Sequence, residues 1–482
     1  MTTCNSAIIE LTAIELSKAI HAKKISCLEV MQAYLHQIEK LNPKVNAIVS
    51  IVDGSELLDQ ARAMDVRIAS GDIKGWMTGF PLAPKDLTAT AGIATTLGSP
   101  ILKKNVTASD SIVVERMRSS GAILIGKTNV PEFGLGSNTY NTVFGNTLNA
   151  YDTSKTAGGS SGGSAVSLAL NMQPVADGSD MGGSLRNPAA WNNIYGFRPS
   201  RGRVPFGPTV ETFYEQLGIE GPMARNVPDL AMFLSVQAGY DARAPLSLLE
   251  SPEKFKGSLE RSFKGSKIAW MNNFNGYLPM ESGLLELSEQ ALSYFQVIGC
   301  EVESAIPSFD FAKLWDCWLK LRAFLVSGKL RMFYNDPAKR ALLKPEAVWE
   351  AEQGISLSAL QVYEASEVRS AWAQELNRMF KTYDYLVLPT TQVFPFDVNQ
   401  HWPNRINGIT MDTYHRWMEV VIGGTLAGLP VLSIPAGFNK DGLPIGLQVI
   451  GRPNDDFGVL QLGYAWQQAT PFASIKPSLL SS

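Results

Sequence analysis

The chain has 482 residues, 45% hydrophobic and 18% charged, a composition ordinary for a soluble globular protein and far from disorder. Its charges sum to 42 − 45 = −3 with no dominant basic or acidic run, so neither nucleic acid nor an anionic membrane is called for as a partner. Cys4, Cys27, Cys300 and Cys317 show no C-x-x-C pair or zinc-type spacing and read as free thiols; with no signal-peptide pattern and no apolar run of about 18 residues, a cytoplasmic location is expected.

The first sixty residues read as helices. Thr12-Ala13-Ile14-Glu15 and Ser26-Cys27-Leu28-Glu29 fit the capping box, and apolar residues recur at helical spacing from Leu28 to Leu41, where Asn42-Pro43 is expected to stop the helix. A third helix is predicted over 56–68. Then strands and helices alternate. "FPLAPKDL" (80–87) is extended and proline-braced, 111–119 suits a helix, and "GAILIGKTN" (121–129) reads as one buried strand. "SAVSLALNM" after Gly163 is a helix and "QPVADGSD" a strand. Further strands are expected in "KIAWMNN" (267–273), "YDYLVLPTT" (383–391), "PVLSIPAG" (430–437) and "PIGLQVIGR" (444–452). This alternation argues for one large α/β domain around a central sheet. The segment 245–380 is more helical; its Trp-rich stretch 311–334 suits a core helix or a substrate-facing cap over an apolar pocket.

"TAGGSSGGSAVS" (156–167) has four glycines and three serines between Gly158 and Ser164. A flexible linker would be flanked by polar residues, but an apolar helix follows. A P-loop would need a lysine after its last glycine, and none follows Gly163. Gly158-Gly159-Ser160-Ser161-Gly162 formally matches G-x-S-x-G, yet no strand precedes it, as a nucleophile elbow requires. The only downstream histidines are His401 and His415. A second cluster, "GSDMGGSLRNPAAW" (178–191), places Ser184 before a helix that Asn187 can cap with Pro188 at its first position. Backbone amides there suit an oxyanion, and a serine in the same turn can attack the carbonyl they hold. Its base is sought among lysines. Lys85, between Pro81, Leu82, Pro84 and Leu87, is the candidate, with a buried Lys85–Asp86 ion pair as the structural alternative.

Together "PKDL" (84–87), "GGSSGGS" (158–164), "DMGGSLRNPAA" (180–190), "GFRPSRGRVP" (196–205), "GPMARNVPDLA" (221–231) and "AGLPVLSIPAGFNKDGLPIGLQVIGRP" (427–453) resemble the amidase signature family. The resemblance covers about 60–240 and 383–470; residues 245–380 carry no family signal. It implies a single α/β domain over 1–482, with N-terminal helices to 60 and a central mixed, twisted sheet of about eleven strands covered by helices. It also implies a Ser–cis-Ser–Lys triad: Ser184 the nucleophile, Ser160 a relay on a non-proline cis peptide, Lys85 the base. Met181, Gly182, Gly183 and Ser184 would supply oxyanion amides, while Ser161, Asp180 and Arg186 would hold the loops. Pro84, Arg198, Ser200, Trp191 and Asn192 depart from the usual pattern. Trp191 and Asn192, close to the nucleophile, are expected to shape the pocket, and so are Trp315 and Trp318 of the aromatic segment.

The activity implied is hydrolysis of small-molecule amides, aryl anilides or carbamates, with esters as a side activity, and without metal or cofactor. A homodimer is a family-level expectation. Two alternatives stand beside it: an ammonia-releasing protein similar to the A subunit of glutamyl-tRNA amidotransferase, and a non-catalytic protein on the same fold.

Overall fold

Reciprocal caps open the first helices. In the computed structural model, which describes residues 7–481, the Ser26 hydroxyl accepts the Glu29 N–H at 3.1 Å and the Glu29 carboxylate accepts the Ser26 N–H at 2.8 Å. Thr12 and Glu15 form the same box. The helices span Ala13–His21 and Cys27–Val45. The second runs past the expected stop at Pro43. Proline removes one helical donor, but Asn42 holds the end: its carbonyl accepts from Asn46 at 2.7 Å, and its side-chain oxygen accepts from Ala47 and Ile48 at 2.9 and 2.8 Å. The third helix, Gly54–Ala69, follows as predicted. Cys4 lies outside the described residues.

The core is an eight-stranded sheet in the order Ala176–Asp180, Ile219–Ala224, Tyr195–Arg198, Val431–Phe438, Pro444–Ile450, Tyr385–Pro389, Lys267–Trp270, Glu301–Ser304. The two pairings at the Glu301–Ser304 end are parallel and the others antiparallel, so the sheet is mixed as expected. It has fewer strands than the eleven anticipated, because the remaining short strands form separate two-stranded pairs. The predicted 121–129 strand is one case. Ile123–Leu124 pairs in parallel with Pro81–Leu82, and Lys127–Thr128 pairs antiparallel with Ile48–Val49. The break falls at Gly126, where a Cβ would sit 2.9 Å from the Val49 carbonyl oxygen.

The 245–380 segment supplies the two strands at one edge of the sheet and then the helices Phe311–Tyr334, Pro345–Ile355 and Ala359–Met379. The two halves of 311–334 differ in surroundings. Leu314, Trp315, Trp318 and Leu321 are buried core, whereas Phe324, Gly328 and Phe333 line a cavity. Among the described residues, no helix is long and apolar enough to cross a membrane.

The glycine–serine stretch enters a wholly buried helix, Gly162–Ala169. Gly163 donates to the Asn129 carbonyl at 3.2 Å, and a Cβ on it would lie 2.3 Å from the Asn129 nitrogen and 2.5 Å from the Ala47 oxygen. Those neighbours are backbone and cannot swing away. Gly163→Ala is therefore expected to lower stability by about 1–3 kcal/mol, as overpacking does, read as a lower urea midpoint. Gly54→Ala, at a helix start with nothing within 4 Å, should leave the midpoint unchanged.

Candidate active site

Lys85 is fixed through its backbone before its side chain is considered. Its N–H donates to both carboxylate oxygens of Asp177 at 3.1 and 3.2 Å, and Pro84 and Asp86 bond to either side of Thr128. The side chain is completely buried. Its Nζ lies 2.8 Å from Ser160 Oγ, 2.8 Å from Ser161 Oγ, 3.0 Å from Ser179 Oγ and 3.2 Å from the Ser179 carbonyl oxygen. The alternative Lys85–Asp86 pair is not formed: Asp86 accepts from Thr96 N–H at 2.9 Å and from its hydroxyl. Burial brings the Lys85 pKa down to about 7, against the opposing pull of Asp177, Asp180 and Glu220.

The two glycine–serine clusters meet. The Gly159–Ser160 peptide is cis, and Ser161 N–H donates to the Ser184 carbonyl at 3.2 Å. Ser137 donates to the Gly159 carbonyl and accepts from Asn187 Nδ2 at 2.9 Å. Asn187 gives its Nδ2 to this brace, and its Oδ1, the atom a cap would use, has no partner. The helix runs Arg186–Trp191, starting two residues earlier than expected, with Pro188 still in its first turn, where a missing N–H costs nothing.

Asp180 organises the turn that carries Ser184. Its carboxylate accepts from Gly183 N–H at 3.0 Å, from Leu185 N–H at 3.1 Å and from both Arg186 Nε and Nη2 at 3.0 Å. Arg186 reaches on to Val421, Gln448 and Thr425, and Arg198 donates to the Asp180 carbonyl. Burial alone would raise the Asp180 pKa; the two arginines and their hydrogen bonds outweigh it and hold the carboxyl below the usual range. Of the four amides expected to face an oxyanion, Gly183's is therefore engaged by Asp180. Those of Met181, Gly182 and Ser184 donate to no residue among those described.

Ser160, Ser179, Met181, Gly182 and Ser184 open onto a cavity of about 610 Å³. Its wall is largely apolar: Leu87, Leu97, Phe133, Leu135, Phe206, and Phe324 to Val326 with Leu330 and Phe333 of the long helix. The four residues expected to shape it do not line it. Trp191 is drawn into a separate apolar cluster, stacked on Trp417 with centroids 5.7 Å apart, and donates to the Val393 carbonyl at 3.1 Å. Asn192 turns back to the Ala157 and Pro188 carbonyls. Trp315 lies under the Arg416 guanidinium. Trp318 packs behind the turn, its ring 3.3 Å from where a Gly182 Cβ would be. His401 stacks on Tyr140, and the buried His415 has no partner for either ring nitrogen, its pKa held down by burial and by Arg322 and Arg416.

Sequence reasoning missed Asp177, Ser179 and Glu220. Glu220 lines the cavity at 4% exposure, its pKa pushed up to about 8 by burial and by Asp177, against Lys85 and Lys127. Alternation along "QPVADGSD" and "GIEGPMA" could have marked these residues as inward-facing polar groups.

The geometry brings together a buried lysine, three serines within hydrogen-bond reach of it and a braced turn carrying Ser184. The amidase family model matches residues 29–460, and the chain belongs to that family; it is an amidohydrolase. The chain is 33% identical over 497 aligned residues to the glutamyl-tRNA(Gln) amidotransferase A subunit of Dehalococcoides mccartyi, covering 98% of this chain and 99% of that protein. The Coxiella burnetii counterpart is 32% identical, with 97% and 99% covered. Among solved structures, a bacterial aryl acylamidase of the amidase signature family superposes with a TM-score of 0.90 at 31% identity, covering 96% and 98% of the two chains. The corresponding amidotransferase protein of Thermotoga maritima gives 0.76 at 26%, covering 98% and 97%.

The environment of Lys85 can be titrated directly. In protein carrying labelled lysine, the Lys85 Cε resonance should move with a midpoint near pH 7, well below exposed lysines. Asp177→Asn, which removes an attraction favouring the charged form, should shift that midpoint lower. A midpoint in the ordinary lysine range would contradict the burial argument.

Proposed function

We propose that the protein hydrolyses small-molecule amides, aryl anilides foremost, through an acyl-enzyme on Ser184. Ser184 Oγ attacks the carbonyl carbon; its proton passes to Ser160, whose own proton passes to Lys85. The tetrahedral oxyanion is held by the amides of Met181, Gly182 and Ser184, while Gly183 gives its N–H to Asp180 and so keeps the other three aimed. As the C–N bond breaks, the proton returns from Lys85 through Ser160 to the leaving amine. Water then repeats the sequence on the ester. Carbamates present the same carbonyl and leaving nitrogen, and esters the easier leaving group.

The observation that carries the anilide preference is the cavity wall. Free glutamine would need an unpaired cation for its carboxylate. The buried cation of the wall, Arg322, is committed to Glu350 at 2.5 Å and to Tyr414 at 2.7 Å, and Lys329 to Glu215; Arg331, which has no carboxylate partner, is exposed to solvent and donates to the Gly328 carbonyl. An aryl or alkyl group instead meets phenylalanine, leucine and valine. The TM-score of 0.90 with an aryl acylamidase agrees. The second reading, glutamine hydrolysis within an amidotransferase, rests on the full-length likeness to the amidotransferase proteins.

Wild-type protein should release nitroaniline from an aryl-acyl p-nitroanilide, and intact-mass spectra should catch the acyl group on the peptide carrying Ser184. Ser184→Ala should lose about 10⁴-fold or more in kcat, and Lys85→Met at least about 10³-fold. His401→Ala should keep full rate. Glutaminase activity exceeding anilide turnover would decide for the second reading. Because the base must be unprotonated, kcat/KM should rise with pH through an acid limb centred near 7.

A further inference from the structure

We propose that Glu220 is a hydrogen-bond acceptor for the substrate, so that the preferred amides carry, besides any N–H of the scissile amide itself, a second N–H or O–H donor close to that bond. This rests on the hydrolase reading above and adds a substrate class to it. Glu220 sits on the Ile219–Ala224 strand directly opposite Ser179. Cross-strand partners present their side chains to the same face, about 4.5–5.5 Å apart at Cβ. Ser179 Oγ is 3.0 Å from Lys85 Nζ, so the Glu220 carboxyl stands at the level of the reacting groups.

Its hydrogen bonding sets it apart. Neighbouring buried carboxylates are occupied: Asp180 by Gly183, Leu185 and Arg186, Asp177 by the Lys85 N–H, Asp86 by Thr96, Glu350 by Arg322 and Tyr414. Among the described residues none donates to the Glu220 side chain, and its Oε2 is buried without a partner. The nearest charged groups, Asp177, Lys85 and Lys127, act on it through space only. Yet the side chain forms part of the wall of the cavity that also holds Ser160 and Ser184.

A buried acceptor with no donor needs an explanation, and here the cavity supplies one. A substrate whose body fills the apolar wall but offers no donor would seal the carboxyl from water and leave it unpaired. Sites that hydrogen-bond a substrate group reject the analogue lacking it far more strongly than apolar pockets reject a missing methylene. The carboxyl's carbonyl oxygen accepts in either protonation state, so a neutral donor suffices.

The test uses two matched pairs of nitroanilides. In the first the donor is on the acyl side: 2-hydroxy-3-phenylpropanoyl against 3-phenylpropanoyl p-nitroanilide. In the second it is on the amine side: the 3-phenylpropanoyl amide of 2-(hydroxymethyl)-4-nitroaniline against that of 2-ethyl-4-nitroaniline. Wild type should favour the donor-bearing member of at least one pair by about tenfold or more in kcat/KM. Glu220→Leu should bring that ratio close to one, and Glu220→Gln, which keeps an acceptor oxygen, should retain most of it; Glu220→Met replaces the leucine variant should that one fail to fold. Ratios within about threefold in both wild-type pairs, or a preference that survives Glu220→Leu, would overturn the proposal. Turnover of the members lacking the hydroxyl, and its loss in Ser184→Ala, reads the hydrolase assignment separately, since the ratio alone reads Glu220.

Discussion

A lysine that is both buried and surrounded by hydroxyls sets the terms for the rest of this molecule. Desolvation disfavours the ammonium form of Lys85 and brings its pKa to about 7. That works only if no carboxylate makes direct contact with Nζ. The fold meets this condition geometrically. Asp177 is turned onto the Lys85 backbone N–H, Asp180 onto two arginines, and Asp86 onto Thr96, while Ser160, Ser161 and Ser179 fill the space around the amine. Three acidic residues therefore lie close by without forming an ion pair that would hold the lysine charged.

The second constraint is the Asp180 cluster. A fully buried carboxylate is costly unless paired and hydrogen-bonded on every side. Asp180 receives two backbone N–H groups from its own turn and two guanidinium bonds from Arg186, with Arg198 beside it. The charge pair ties the turn to elements distant in sequence, because Arg186 also holds Val421, Thr425 and Gln448. An amide turn fixed this way needs little reorganisation when negative charge develops in front of it, the condition under which oxyanion donors work best.

What could be read from sequence was what is local. The caps at Thr12 and Ser26, the strands 385–389, 431–438 and 444–450, and the motif residues Lys85, Ser160 and Ser184 each announce themselves within a few residues. Errors arose where tertiary contacts decide. Val49 breaks the 121–129 strand at Gly126, Asn42 carries a helix past Pro43, and Ser137 takes the amide of Asn187. Trp191 and Asn192 follow Ser184 closely, but a helix separates neighbours in sequence onto different faces, and theirs turn toward Trp417 and Ala157. For Glu220 the local alternation could mark only an inward-facing polar group; its place beside Ser179 comes from pairing across the sheet.

The polar cluster around Lys85 and the cavity wall come from different stretches of chain. The hydroxyls, the lysine and the amide turn come from 85, 160–161 and 179–184, whereas the cavity wall comes from 87–97, 133–136, 206–220 and 322–333. The long helix couples the two: Trp318, in its first half, packs behind Gly182 of the amide turn, and residues between Phe324 and Phe333, in its second half, line the cavity. A change of wall residues can then alter what is bound while the Trp318 contact keeps the turn in place. Likeness to proteins of two different names, at 33% and 31% identity, accords with one fold hosting different functions.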